Sequence, residues 1–256
     1  MIMFNIYLKI ALRNLIKEKF FSLINIGGLA IGITVVLIIA LYIVHENSYD
    51  RFHRHADRIY RIAMHLDIGG NVVDLNATFP PLGRAIESEI PDVHRAVRVY
   101  PQNGKIFKKG DRVFTEDDIV FADPRFFEVF DFHTLAGDPV SALDKRHQIL
   151  LTPALATKYF ETDDAATVVG KTIFIDGESY TVTGIVEEAP ENSHLKFNAV
   201  GSIESTSEGR DEQWNNMNLS TYILLNQHAD IRRVTEKVQG VFRKHMPNFD
   251  KLPETG

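Results

Sequence analysis

The chain has 256 residues, 45% of them apolar, no cysteine and a formal net charge of −6. That apolar share can bury a core unaided, and the lack of thiols excludes disulfides, thiolate nucleophiles and Cys-type zinc sites. Residues 1–44 hold four Lys/Arg against one acid, a balance of +3 that leaves −9 for the remainder and argues against nucleic acid as a partner.

Residues 2–19 read as an amphipathic helix. Asn5, Lys9, Arg13 and Lys17 recur on one face, and Phe4, Leu8, Ala11, Leu12 and Leu15 mark another. Basic helices of this kind lie along a membrane with their cations toward headgroups, so residues 1–19 are expected to form a cytoplasmic elbow. The plainer alternative is a helical lead-in whose charges only set topology.

Residues 20–44 follow, a run of 25 without a charged side chain. As a helix it would reach roughly 37 Å, enough for a hydrocarbon core of about 30 Å, and inside lipid a helix pairs its own peptide groups. No small-residue cleavage site follows, so an uncleaved transmembrane anchor is expected. Lys9, Arg13, Lys17 and Lys19 flank one side, His45, Glu46 and Asp50 the other. Cations stay inside, which places the N-terminus in the cytoplasm and everything after about residue 45 outside. Gly28 and Gly32 have GxxxG spacing and Asn25 stands nearby, together a candidate contact face for another membrane helix.

Beyond the span, 58–66 reads as a strand, Gly69-Gly70 as a turn and 72–75 as the returning strand. Pro80-Pro81 opens a helix that Pro91 ends, and 95–100 alternates like a strand. Residues 45–103 thus form a first α/β unit. Residues 104–195 read as a mostly-β insert: strands 105–108, 113–115, 119–122 and 148–151, helices 124–130 and 153–160, and a hairpin of 171–176 and 180–187 about Gly177. In 196–250, a second α/β unit, strand 219–225 precedes a helix capped by Asp230, with Ile231, Val234, Val238, Val241 and Phe242 on one face and Pro247 at its end. The fold class expected is α+β: one N-terminal transmembrane helix, then an extracytoplasmic domain of two strand–helix–strand units with a mostly-β inserted subdomain. Residues 251–256 end in Leu252-Pro-Glu-Thr-Gly256, the LPxTG sorting pattern without its usual apolar tail. This tail reads as an added tag or a chance match and is set aside.

Candidate chemistry is sparse. His53 and His55 would share one face of a strand, with His45 and His65 not far in sequence, but no H-E-x-x-H occurs, and surface or interface histidines are the better reading. Asp117-Asp118, Asp163-Asp164 and Glu187-Glu188 are sequence neighbours, which a strand points to opposite faces. No G-x-S-x-G elbow and no Walker motif is present. No catalytic, cofactor-binding or metal residue is assigned, and the chain is not expected to be an enzyme.

Several runs resemble the opening of FtsX/MacB-type ABC transporter permeases. They are Ala11-Leu-Arg13-Asn14-Leu15, then Ser22-x-Ile24-Asn25-Ile26-x-Gly28-Leu29-x-Ile31-Gly32, then Glu46-x-Ser48-Tyr49-Asp50-x-Phe52-His53. Ala122-Asp123-x-x-Phe126-Phe127-x-x-Phe130, Lys158-Tyr159-Phe160, Gly170-Lys171 and Val182-x-Gly184-Ile185-Val186 fit the same pattern, as does Pro190-Glu-Asn192-Ser193-His194-x-x-Phe197. The resemblance implies an elbow helix, a first membrane helix and a MacB-like periplasmic core domain in a bacterial inner membrane. It also implies a dimer with a second permease protomer, a separate ABC ATPase subunit that binds ATP, a periplasmic adaptor protein and contact with membrane lipid. Such permeases couple cytoplasmic ATP hydrolysis to movement of the external domain, exporting peptides or small molecules or extracting lipoproteins. The later membrane helices that meet the ATPase have no counterpart here, so the chain is expected to be an N-terminal piece. The alternatives are a membrane-tethered envelope hydrolase and a single-pass adhesin or sensor.

Overall fold

The structure is a computed structural model that describes residues 6, 13, 15–68, 71–162 and 164–247. Most of the expected elbow over 1–19, the Gly69-Gly70 turn, Asp163 and the tail at 251–256 lie outside the described residues. The chain divides into two units, Met1–Tyr49 and Asp50–Gly256.

In the first unit α1 spans Lys19–Glu46, longer than the expected 20–44 at both ends, with no residue buried. It is long and apolar enough to cross a membrane. Thr34 returns its hydroxyl to the carbonyl of Ala30 (2.8 Å), satisfying that donor within the helix. Past Glu46, Asn47 N–H reaches Ile43 O (3.0 Å), and the N–H and hydroxyl of Ser48 both reach His45 O, pairing carbonyls that the helix end leaves free.

The second unit opens with β1 (Ile59–Arg61), β2 (Met64–Ile68), β3 (Asn71–Leu75), α2 (Leu82–Glu89) and β4 (Val93–Gln102). Next come β5 (Lys105–Lys109), β6 (Arg112–Glu116), β7 (Ile119–Ala122), α3 (Phe126–Val129), β8 (Thr134–Gly137), β9 (Gln148–Leu151) and α4 (Pro153–Phe160). It closes with β10 (Thr172–Ile175), β11 (Glu178–Val186), β12 (Ala199–Ser202), α5 (Ser207–Arg210), β13 (Ser220–Leu225) and α6 (Ile231–His245). One 11-stranded sheet runs β1-β13-β4-β7-β12-β9-β11-β10-β5-β6, with β8 attached to β11, while β2 and β3 form a separate hairpin.

Local chemistry sets most of these bounds. Thr152 caps α4, accepting from Leu155 N–H, with Pro153 in the first turn. Asp230 accepts from Arg232 N–H (2.9 Å) at the start of α6, whose last turn carries Arg243, Lys244 and His245. Asp176 and Gly177, both at positive φ, turn β10 into β11.

One expectation needs correction. The single strand foreseen over 58–66 is two, because the chain leaves the main sheet after Arg61 and starts the β2–β3 hairpin at Met64. The strands of 104–195 form no sheet of their own. β7 lies between β4 and β12, and β9 between β12 and β11, so the loops at 103/104 and 195/196 both join strands of one hydrogen-bonded sheet.

The core packs as three groups. α2 and α6, expected in separate units, share one apolar layer with Ile223 and Leu225 of β13. A phenylalanine group of Phe126, Phe130, Phe132 and Phe197 packs with Val97, Val99, Tyr222 and Leu224. The third sets Leu155 and Tyr159 of α4 on Phe107, Ile173, Val182 and Ile185. Each such side chain contributes about 1.5–3 kcal/mol on full burial.

Arg98 of β4 sits among these apolar layers with no exposed surface. Its Nη2 and Nε donate to the carboxylate of Asp123 (2.7 and 3.0 Å), and its Nη1 to the carbonyls of Pro80 (3.1 Å) and Gly209 (2.9 Å). Gly83 permits this: a Cβ there would stand 2.9 Å from Arg98 Cγ. Asp123→Ala would leave a buried guanidinium without its hydrogen-bonded carboxylate, with only the more distant and more exposed Glu204 (3.6 Å) beside it, and the domain should lose about 3–5 kcal/mol. The midpoint of urea unfolding reads the loss, and an unchanged midpoint would refute this account of Arg98.

Candidate functional site

Asn25, Gly28 and Gly32 lie along α1, and nothing lies within 4 Å of where a Cβ would stand on either glycine. Glu46, Ser48 and Tyr49 belong to the end of that unit, where the rings of His45 and Tyr49 meet edge to face at 5.4 Å.

The rest of the two sequence patterns converge. Asp50, Phe52 and His53 open the second unit, and Asn192, Ser193, His194 and Phe197, some 140 positions on, are folded against them. Asp50 takes a left-handed backbone (φ 57°), which Asp tolerates better than most residues. Its N–H donates to Asn192 O (2.9 Å) and its Oδ1 accepts from His194 N–H (3.1 Å). Its Oδ2 lies 2.6 Å from His194 Nδ1. The far nitrogen of that ring, Nε2, lies 2.8 Å from the hydroxyl of Tyr222 on β13.

Aromatic rings form the bed beneath this chain of polar contacts. Phe132 meets Phe52 at 5.6 Å and Phe197 edge-on at 4.8 Å, so it joins the two patterns. His53 stands against Phe130 and Phe132 and is buried. Its Nδ1 accepts from Asp131 N–H (3.0 Å), so the neutral ring carries its proton on Nε2. That Nε2 is buried without a partner. The carboxylate of Asp131 accepts in turn from Arg54 N–H (2.7 Å).

Two groups titrate abnormally here. Burial lowers the pKa of His53, against the opposing pull of Asp50 and Asp131. Burial likewise pushes the Tyr222 phenol up to about 12, with Arg61 opposing and Asp50 adding to the rise. A phenol held this high stays protonated at neutral pH, so Tyr222 joins the Asp50–His194 series as a hydrogen-bond partner. Hydrogen bonds of this kind fix geometry. His55 turns instead to Arg58 (2.7 Å), so the two histidines foreseen on one face do not act together. Among the described residues no group of three His, Asp or Glu is placed to hold a metal. Asp131, Phe132 and Tyr222 were missed from the sequence. Phe132 lies two positions past the Phe126–Phe130 pattern, whereas nothing in the chain pairs Tyr222 with position 194.

The same sheet-rich fold is found in solved permease domains. The structure is similar to a domain assigned to a permease protein from Porphyromonas gingivalis (TM-score 0.66, 22% identity, covering 77% of this chain and 85% of that one). It is also similar to the periplasmic region of MacB from Actinobacillus actinomycetemcomitans (TM-score 0.50, 11% identity, 65% and 73% covered). No curated protein matches the sequence. The family model of the MacB-like periplasmic core domain matches residues 22–241, and the chain belongs to that family. The family is one of transporter permease components.

The buried His53 makes the domain sensitive to acid. Its folded pKa lies below the unfolded value of about 6.5, so between the two the unfolded chain binds more protons. Its contribution is therefore complete above about pH 6.5 and is lost as pH falls toward the folded pKa. Thermal midpoints across that window should fall with acid in the parent chain and less steeply in His53→Gln; parallel curves would refute the assignment.

Proposed function

We propose that this chain is the N-terminal part of an ABC transporter permease, set in a bacterial inner membrane with its N-terminus in the cytoplasm. In this reading the domain from Asp50 onward is periplasmic and moves as a separate ATPase subunit hydrolyses ATP. Two protomers and a periplasmic adaptor complete the assembly, and the cargo is a peptide, a small molecule or a lipoprotein. Glycines 28 and 32, open on the helix, with Asn25 beside them, would meet a neighbouring membrane helix.

One observation carries the mechanical part. Asp50 is the fourth residue past the end of α1, and it is already bonded to Asn192 and His194, which continue to Tyr222 in the sheet. A chain held this soon after the helix passes a displacement into the sheet, where a loose linker would absorb it. The charge-assisted bonds of Asp50 are worth about 1.5–3 kcal/mol each, enough to matter for coupling and too little to hold the fold by themselves.

Asp50→Ala should therefore reduce export severalfold in cells carrying the assembled transporter, with protein level unchanged. Gly28→Leu should reduce it more mildly, by the equivalent of about 1–2 kcal/mol of helix packing, while Ile38→Leu serves as the control. Full export by Asp50→Ala would sink the coupling role, and Gly28→Leu equal to the control would sink the helix contact. Topology is tested apart from both. A reporter active only outside the cytoplasm, fused after Glu46, should be active, and an inactive fusion would reverse the orientation.

A further inference from the structure

β6 ends the main sheet, and among the described residues nothing pairs with its outer side. Its ladder with β5 is unbroken from Lys109↔Arg112 to Lys105↔Glu116, closed by the two-residue turn Gly110-Asp111 with φ +58° at the glycine. In such a hairpin the residues flanking the turn exchange both backbone bonds, and the pattern alternates from there. Arg112, Phe114 and Glu116 thus turn their N–H and C=O groups toward β5, while Val113 and Thr115 turn theirs outward. Edges are guarded by proline, bulges or charged side chains, and Arg-Val-Phe-Thr-Glu has no proline or bulge, its two charges standing only at the strand ends. Phe114 is 45% exposed and Val113 50%, although Phe107, opposite Phe114 on β5, is wholly buried.

The strand is its own complement. About a two-fold axis through Phe114, an antiparallel second copy places Phe114 on Phe114, Val113 on Thr115 and Arg112 on Glu116. The outward-facing residues then meet as hydrogen-bonded pairs, each exchanging both bonds, and Phe114 falls at the non-bonded position where side chains approach closest. A shift of one residue puts the outward groups out of phase, and a shift of two opposes Arg112 to Phe114. Lys158 lies 4.5 Å over the Phe114 ring and pairs with Glu116 (2.6 Å), while Arg112 pairs with Glu161, so the rim brings no unbalanced charge to the axis. We propose that β6 is a contact between two copies of this chain, joined edge to edge as one antiparallel sheet.

The contact rests on the two-protomer reading above. A five-residue strand buries far less than the roughly 1,200 Å² of a stable interface, so it joins copies already held together in the membrane.

The absence of cysteine makes single-cysteine variants of the membrane-embedded chain clean reporters. At a non-hydrogen-bonded antiparallel pair the Cα atoms stand about 4.5 Å apart, within disulfide range. Oxidised membranes carrying Phe114→Cys should give a band at twice 29.0 kDa. Val113→Cys and Thr115→Cys should link when co-expressed and much less when each is alone. Lys108→Cys, equally exposed but one strand inward on β5, should stay monomeric. The mass of the chain in nanodiscs reads the number of copies separately. Two copies with no link at Phe114→Cys beyond the Lys108→Cys background overturn the edge contact and leave the two-protomer reading standing. Equal linking at all positions signals collision and overturns the register. A single copy by mass overturns both readings.

Discussion

A guanidinium shut away from water must have every donor placed, and Arg98 meets that demand by drawing four segments together. Nε and Nη2 are taken by Asp123 at the end of β7, and Nη1 by carbonyls from the entry to α2 and from α5. Leaving any of these donors unmatched in the core would cost more than most single apolar contacts return. The constraint therefore fixes where α2 begins, how closely it approaches β4 through Gly83, and where the chain turns after β7. Arg84 extends it to the surface by bonding Glu204 (2.6 Å) and the carbonyl of Gly209.

The Asp50 junction solves a different problem with similar means. Here the carboxylate is partly exposed, so its bonds to His194 are charge-assisted without the full desolvation penalty that Arg98 and Asp123 bear. Beneath it the rings of Phe52, Phe132 and Phe197 supply apolar packing that is strong but not directional. Hydrogen bonds set the direction in which the chain leaves Asp50, and the aromatic bed sets how firmly that segment sits. Tyr222 connects both to the sheet, since its hydroxyl meets His194 and its ring packs edge-on against Phe130 at 5.1 Å.

Much of this was legible in the sequence, and the exceptions have physical causes. The apolar run, the cap at Asp230, helix 153–160 and the Gly177 turn are local signals, and the structure has each in place. β8 (Thr-Leu-Ala-Gly) and β12 (Ala-Val-Gly-Ser) were not foreseen, because four-residue strands rich in small residues carry neither alternation nor β-branched bulk. β12 forms because β7 and β9 flank it, a tertiary cause that periodicity cannot register. The same limit applied to the site. The residue patterns marked both ends of the junction, but no local pattern showed that Asp50 and His194 touch or that Tyr222 completes the series.

The placement of charge separates the two polar networks by role. Arg98 is fully enclosed and the Asp123 side chain is only 15% exposed, so water compensates little for breaking that pair; such a contact serves permanence. Asp50 and His194 are each about 30% exposed at the side chain, so water can replace their bond at modest cost. Of the apolar bed, Phe132 and Phe197 belong to the domain core, while Phe52 packs against that core from the segment that Asp50 opens. Exchange of the Asp50–His194 bond with water therefore disturbs a partly exposed contact and leaves the core rings packed.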